Sequence, residues 1–206
     1  MTKIKICGNT RPEDIQFEAK TGAHAVGLIH GFPESPRNNS FERAKTLVRY
    51  VPPFTEAVVV TNIQGLESAA RLGVRTIQLV APIHLYSSAR FSHPELNIIP
   101  VLYVGGEPPK REVLKVYSEF EYVHVDTDSG LKGGSGQTHN WEVSKMLSKV
   151  LGNIILAGGL TPENVEDAIT MVEPYAVDVS SGVESSPGVK HWGLVSRFIE
   201  AVKRVG

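Results

Sequence analysis

The chain has 206 residues, 41% of them hydrophobic and 21% charged, enough for one sizeable core and ordinary for a single soluble globular domain spanning residues 1–206. Its 21 Lys and Arg nearly cancel its 22 Asp and Glu, which removes the electrostatic case for nucleic acid or a membrane surface as partner. A single cysteine excludes an internal disulfide framework and a zinc site of several cysteines, and it fits a reducing, cytoplasmic setting.

The chain opens on an alternating stretch, Lys3-Ile4-Lys5-Ile6-Cys7-Gly8. As a strand it sends Lys3, Lys5 and Cys7 to one face and Ile4 and Ile6 to the other, and Gly8 turns the chain after the thiol. The apolar run after Lys3 is too short for a signal peptide, and nothing approaches the roughly 20 apolar residues of a membrane helix. Thr10 with Glu13 reads as a capping box and Pro12 suits a first helical turn, giving a helix to about Lys20 closed by Gly22. A strand over 25–29 and a polar loop with Pro33, Ser35, Pro36 and Arg37 follow. The next helix has Phe41, Ala44, Leu47 and Val48 on its apolar face.

A buried strand over 56–61 comes next, then a helix marked by Leu66, Ala69 and Ala70, a strand over 76–80, and a weakly signalled helix over 82–91. The strand over 97–104 contains Pro100, which predicts a local irregularity. Val113, Val116, Tyr117 and Phe120 fall at i, i+3, i+4 and i+7 of one helix. A strand over 121–126 leads into the glycine-rich run 129–136, then a helix over 140–150 and a strand over 153–157 ending in Gly158-Gly159. Thr161-Pro162 opens another helix. The strand over 175–180 ends in Ser181-Gly182, and a helix over 190–204 turns Trp192, Val195, Ile199 and Val202 inward.

Eight strand-then-helix units without a linker predict a parallel sheet closed into a (β/α)8 TIM barrel, an α/β fold. The alternative, an open doubly wound sheet, lacks its GxGxxG mark after the first strand. The barrel accounts for the polar stripe. Ile4, Ile6, Ile77, Leu79, Val123, Val125, Val177 and Val179 would face the helices, with Lys5, Cys7, Gln78, Tyr122, His124, Asp126, Asp178 and Ser180 inside. Interior charges require partners, so Lys5 is expected to pair with Asp178 on the adjacent last strand.

Barrel chemistry sits at the C-terminal strand ends, here Cys7, Asp126, Gly158-Gly159 and Ser180-Ser181-Gly182. The last two turns expose backbone N–H groups where barrels bind phosphate. Read separately, each glycine pair fits a plain tight turn as well as it fits a phosphate cradle. The run Gly130–Gly136, beside Asp126, suits a mobile lid. Cys7 reads either as an inert core thiol or as a base, acid or nucleophile set by its pKa. Asp126 suits a general acid or base. Arg37, with no acidic neighbour after it, is expected to be free to hold a carboxylate or phosphate. His24, His84, His93 and His139 have no metal spacing, His124 reads as a satisfied interior histidine, and no metal site is expected.

Five pieces in order, Lys5-Ile6-Cys7-Gly8, Ser35-Pro36-Arg37, Gly133-Gly134-Ser135-Gly136 with Asn140-Trp141, Ala157-Gly158-Gly159-Leu160 with Pro162-Glu163-Asn164-Val165, and Val177-Asp178-Val179-Ser180-Ser181-Gly182-Val183-Glu184 with Pro187-Gly188, resemble the phosphoribosylanthranilate isomerase family over almost the whole chain. The resemblance implies cofactor-free Amadori chemistry in tryptophan biosynthesis on a small phosphorylated substrate, by a monomer or homodimer. It implies Asp126 as general acid on the furanose oxygen and Cys7 as general base at C2′. Arg37 would hold the anthranilate carboxylate, Asp178 would touch substrate or support Lys5, and Gly158, Gly159, Ser180, Ser181 and Gly182 would hold the phosphate. After the fourth strand the family carries Gln-Leu-His-Gly where this chain has Gln78-Leu79-Val80-Ala81. His139-Asn140 and Lys190-His191 likewise stand for Phe-Asp and Lys-Asp. Competing readings are another barrel isomerase or epimerase for sugar phosphates, against which Cys7 and the missing metal ligands speak, and a catalytically weak phosphate-binding paralogue.

Overall fold

Among the described residues, eight parallel strands close on themselves in chain order. They are β1 (Lys3–Ile6), β2 (Ala25–Ile29), β3 (Glu56–Asn62), β4 (Thr76–Val80), β5 (Asn97–Val104), β6 (Tyr122–Thr127), β7 (Asn153–Leu156) and β8 (Ala176–Val179). The helices between and after them are α1 (Pro12–Thr21), α2 (Phe41–Val48), α3 (Leu66–Ala70), α4 (Tyr86–Ser92), α5 (Arg111–Tyr117), α6 (Trp141–Leu151), α7 (Val165–Val172) and α8 (Trp192–Val205). This computed structural model describes residues 1–128 and 139–205, so the lid expected at Gly130–Gly136 lies outside the described residues. None of the described helices is long and apolar enough to cross a membrane.

The alternation of apolar and polar residues decides which way each strand faces. Ile4, Ile6, Leu28, Ile77, Leu79, Val125 and Val177 are fully shielded and join the helix side chains Ile15, Leu47, Leu147 and Phe198 in one apolar layer between strands and helices. A smaller apolar cluster, Ile99, Ile155 and Ala176 with Tyr122, sits inside the barrel. Lys5, Gln78, His124 and Asp178 are also buried there, as the phase of β1, β4, β6 and β8 predicts. Lys5 stands opposite Asp178 across the β1–β8 seam, with Nζ 2.6 Å from Oδ2. His124 Nε2 lies 2.9 Å from the same oxygen. Burial draws the Lys5 ammonium down and the Asp178 carboxyl up. Their attraction prevails, leaving Lys5 above and Asp178 below the ordinary values.

Five local expectations change. Trp192, expected to turn inward, is 45% exposed and lies against the Phe17 ring at 4.6 Å. Thr10 does not cap α1. Arg11 occupies the cap without a side-chain bond, and its guanidinium clamps Asp14 at 2.7 and 2.8 Å, while the Thr10 hydroxyl donates to the Gly188 carbonyl at 2.6 Å. The glutamate at Glu13 therefore has no reciprocal cap to complete. Pro100 lies in an unbroken β5: its ladder with β4 ends at Pro100 and that with β6 begins at Val101. The helix expected from Thr161 starts only at Val165, because Asn164 Oδ1 accepts the Thr161 N–H at 2.8 Å and holds a turn ahead of it. A short antiparallel ribbon, β9 (Glu184–Ser186) and β10 (Val189–Lys190), is inserted before α8, where the sequence predicted none.

Helix α1 also buries Glu18 completely against the barrel. Its Oε2 accepts from Asn9 Nδ2 at 3.0 Å, while Oε1 has no partner. Desolvation raises this carboxyl from the ordinary 4.5 to about 8, against the pull of Lys190 and the Asn9 bond. The folded chain thus holds a proton that the unfolded chain releases near 4.5. The stability this gives is complete below that value and drains away as pH rises through about 8. Glu18→Gln should flatten the stability–pH curve in that window by one proton, about 1.4 kcal/mol per pH unit. Urea unfolding across the window checks this, and an unchanged slope rejects it.

Candidate active site

The C-terminal ends of the strands bring the predicted residues to one mouth of the barrel. Cys7 follows β1 directly, and its N–H donates to the Val179 carbonyl at 2.8 Å, the last main-chain tie across the seam. Its thiol lies over Gly27 of β2, where a Cβ would come within 2.6 Å of Sγ. The absent side chain of β2 is therefore the space the thiol occupies. Gly8 adopts φ +81°, and a Cβ there would meet Arg37 Cδ at 2.7 Å and Ser180 Oγ at 2.8 Å. The turn after the thiol is thus packed between the loops following β2 and β8. Burial pushes the Cys7 thiol up; Lys5 and Lys190 pull it down and Asp178 pushes with burial, leaving it above the ordinary value.

Asp126 projects inward on β6, two residues above His124. Its Oδ1 accepts the Thr127 N–H at 2.8 Å. Burial pushes this carboxyl up, with His124 and the Thr127 bond pulling the other way. Asp178 sits lower in the barrel, bonded to Lys5 and His124 through Oδ2, while its buried Oδ1 has no partner. The loops after β7 and β8 meet backbone to backbone: a Cβ on Gly182 would stand 2.0 Å from the Leu160 carbonyl oxygen. Gly158, at φ +88°, leaves equally little room beside Thr127 Oγ1. Gly159 also has positive φ, and Ser181, Gly182 and Val183 form a single tight 3-10 turn. The Ser180 hydroxyl, buried beside Gly8, has no hydrogen-bond partner.

Arg37 is not the free cation expected from its sequence neighbours. Its Nε donates to Glu184 Oε1 and Oε2 at 2.9 and 3.1 Å, and its Nη2 to Oε2 at 2.6 Å. The carboxylate comes from β9, far along the chain, so no local pattern announced it. The fork uses Nε and Nη2, and Nη1 remains as the donor not engaged by Glu184. His139 is likewise occupied: Nδ1 pairs with Thr127 Oγ1 at 3.0 Å and Nε2 with Ser144 Oγ at 2.5 Å. Burial lowers it to about 4, so it stands neutral between β6 and α6 near neutral pH. Val80 ends β4 half-buried, and His84, exposed on the turn that follows, does not take the place of the missing histidine.

Among the described residues no three His, Cys, Asp or Glu side chains converge as a metal would require. A cavity of about 1000 Å³ opens at the other end of the barrel, lined among others by Lys3, His24, Glu56, Thr76 and Tyr122. It lies at the N-terminal strand ends, away from Cys7 and Asp126. Sequence reasoning named Glu184 and Lys190 only within the resemblance and gave neither a role. The signal available for them was charge around the turn Pro187-Gly188, directly after the glycine turn of β8.

The family described as "PRAI: N-(5'phosphoribosyl)anthranilate (PRA) isomerase" matches residues 4–201. An N-(5'-phosphoribosyl)anthranilate isomerase from Methanopyrus kandleri is 40% identical over the whole of both chains. One from Haloarcula marismortui is 39% identical over 99% of this chain and 97% of its own. The crystal structure of phosphoribosyl anthranilate isomerase from Thermotoga maritima superposes with a TM-score of 0.87 at 36% identity, covering 99% of this chain and 100% of the other. A further phosphoribosyl anthranilate isomerase, in complex with reduced 1-(o-carboxyphenylamino)-1-deoxyribulose 5-phosphate, gives 0.83 at 33% identity, covering 99% and 100%.

Proposed function

The chain belongs to the N-(5'-phosphoribosyl)anthranilate isomerase family, and from that premise we propose how its own residues carry the reaction, with the whole chain as one domain. It is an aldose–ketose isomerase of tryptophan biosynthesis that converts N-(5-phosphoribosyl)anthranilate into 1-(2-carboxyphenylamino)-1-deoxyribulose 5-phosphate. Asp126 gives its proton to the furanose oxygen as the ring C–O bond breaks, leaving a Schiff base between C1′ and the anthranilate nitrogen. Cys7, as thiolate, removes the proton from C2′, and the electron pair moves to form the enolamine. Tautomerisation places a proton on C1′ and leaves a ketone at C2′, so no atom is gained or lost. The raised carboxyl of Asp126 suits an acid, and the cations Lys5 and Lys190 favour the thiolate against its burial.

Arg37, oriented by Glu184, presents Nη1 to the anthranilate carboxylate. Asp178 offers its unpartnered Oδ1 toward the substrate while Oδ2 holds Lys5. The backbone N–H groups of Gly158, Gly159, Ser181 and Gly182, with the Ser180 hydroxyl, receive the phosphate. The observation that carries this reading is the convergence of Cys7 from β1 and Asp126 from β6 on the mouth where Ser180 Oγ is buried without a partner. Two groups from different strands can address two positions of one sugar. The test is the decay of anthranilate-type fluorescence when freshly made substrate meets the protein in chelator-treated buffer. Turnover is expected; a fluorescence trace matching the protein-free control rejects the reading.

A further inference from the structure

Lys190, at the end of β10, has a fully buried side chain. Its Nζ donates to the Cys7 carbonyl at 2.5 Å and to Glu184 Oε1 at 2.9 Å, and lies 3.5 Å from the Ser180 carbonyl oxygen. Burying an ammonium is costly unless its donors are satisfied, and here they are satisfied by groups at three corners of the reactive mouth. The position of those carbonyls matters. The β1–β8 ladder ends at Ile6 opposite Val179, and the Cys7 N–H to Val179 bond is its last rung. Past that rung the two strand ends diverge into their loops, and the Lys190 ammonium bridges the carbonyls of Cys7 and Ser180. Glu184, its third partner, is the carboxylate that grips Arg37.

We propose that Lys190 is a positioning residue for the isomerisation: its ammonium fixes the Cys7 main chain against the turn after β8, and Glu184 extends that frame to Arg37. The proposal rests on the roles given above to Cys7, Arg37 and the β8 turn. The barrel itself is already closed by its ladder and by the Lys5–Asp178 pair lower down, so closure does not call for a second buried lysine. Lys190 holds the base and the two anionic ends of the substrate site in one register. Its main-chain N–H, bonded to Asp14 Oδ2 at 3.2 Å, ties that register to the start of α1. A displacement of the thiol by about an ångström is enough to cost about 100-fold in a proton abstraction.

The test compares Lys190→Met and Glu184→Gln with the parent chain, using steady-state rates below each variant's melting temperature. Lys190→Met is expected to lower kcat by about 100-fold and raise KM by about ten-fold, since thiol and anion sites lose their common anchor. Glu184→Gln keeps the shape but loses the shared carboxylate, and is expected to raise KM by about ten-fold while kcat stays within about three-fold. A merely structural lysine would lower the melting temperature and leave kcat and KM of the folded protein near the parental values. A KM within two-fold of the parent for Lys190→Met overturns the proposal. If that variant does not fold, the same KM result for Glu184→Gln overturns it. Cys7→Ala is run alongside: parental kcat there rejects Cys7 as the base, and the positioning role is then decided by KM alone.

Discussion

Asp126→Asn is expected to lower kcat/KM by about 10² to 10⁴-fold while leaving the barrel folded. The amide oxygen can still accept the Thr127 N–H, so the local main chain keeps its partner. What is lost is the proton for the furanose oxygen. The pH dependence separates this loss from simple misplacement. The productive form has the carboxyl protonated and the thiol ionised, yet burial pushes both groups up. The thiol's ordinary value lies far above the carboxyl's, so that form is a minor one at every pH. Activity of the parent rises with pH to the carboxyl's pKa, stays level, and falls beyond the thiol's. In Asp126→Asn no acid remains to be lost, so the residual activity should keep rising to the thiol's pKa and then level off. Cys7→Ala should lose activity to a similar degree and show no such rise. Rates within ten-fold of the parent for either variant reject that residue's role.

Lys5→Met should lower stability by about 3–5 kcal/mol, because it leaves a buried carboxylate without its cation. Asp178 is only 6% exposed, and after the change His124 would be its single hydrogen-bonding neighbour. The surface pair Arg197–Glu163, with both side chains more than half exposed, gives the contrast: solvent screens it, and its loss should leave stability near the parental value despite a contact of similar length. Removing both partners, as Lys5→Met with Asp178→Leu, should return most of the loss, since an apolar pair carries no stranded charge. Denaturant unfolding of the three variants measures this. A single-variant loss under about 1 kcal/mol would mean that water reaches the carboxylate and that the interior is wetter than its burial implies.

Strand phase was the most legible property of this chain. A period of two with a buried outer face leaves one choice of register, so Ile4, Ile77, Val123 and Val177 outside forced Lys5, Gln78, His124 and Asp178 inside. The Lys5–Asp178 pair followed from phase and closure alone. Closure also places Cys7, Asp126 and the last two glycine turns at one mouth from strand order alone. Residues whose partners come from insertions were not legible. Arg37 looked free because its sequence neighbours are not acidic, but Glu184 arrives on a ribbon that eight simple strand–helix units do not contain. Lys190 and Glu18 escaped for a related reason. Burial of a charged side chain leaves no periodic trace when its partners are main-chain carbonyls or an amide from another loop. At α1 the capping pattern Thr10–Glu13 misled because Thr10 is drawn away to Gly188, a tertiary contact that outweighs a local preference.

The seam between β1 and β8 also constrains how the molecule is made. The partners Lys5 and Asp178 are separated by 173 positions, so their contact forms only when β1 and β8 meet. During synthesis Lys5 emerges early and stays hydrated until β8 has been added. No fragment ending before β8 can bury that strand without stranding a charge. The cost of joining so distant segments is entropic and grows slowly with length, but it falls on the search for the closed state before any contact there repays it. The last strand is thus the element that closes the sheet into a ring, and the buried Lys5–Asp178 contact depends on its arrival.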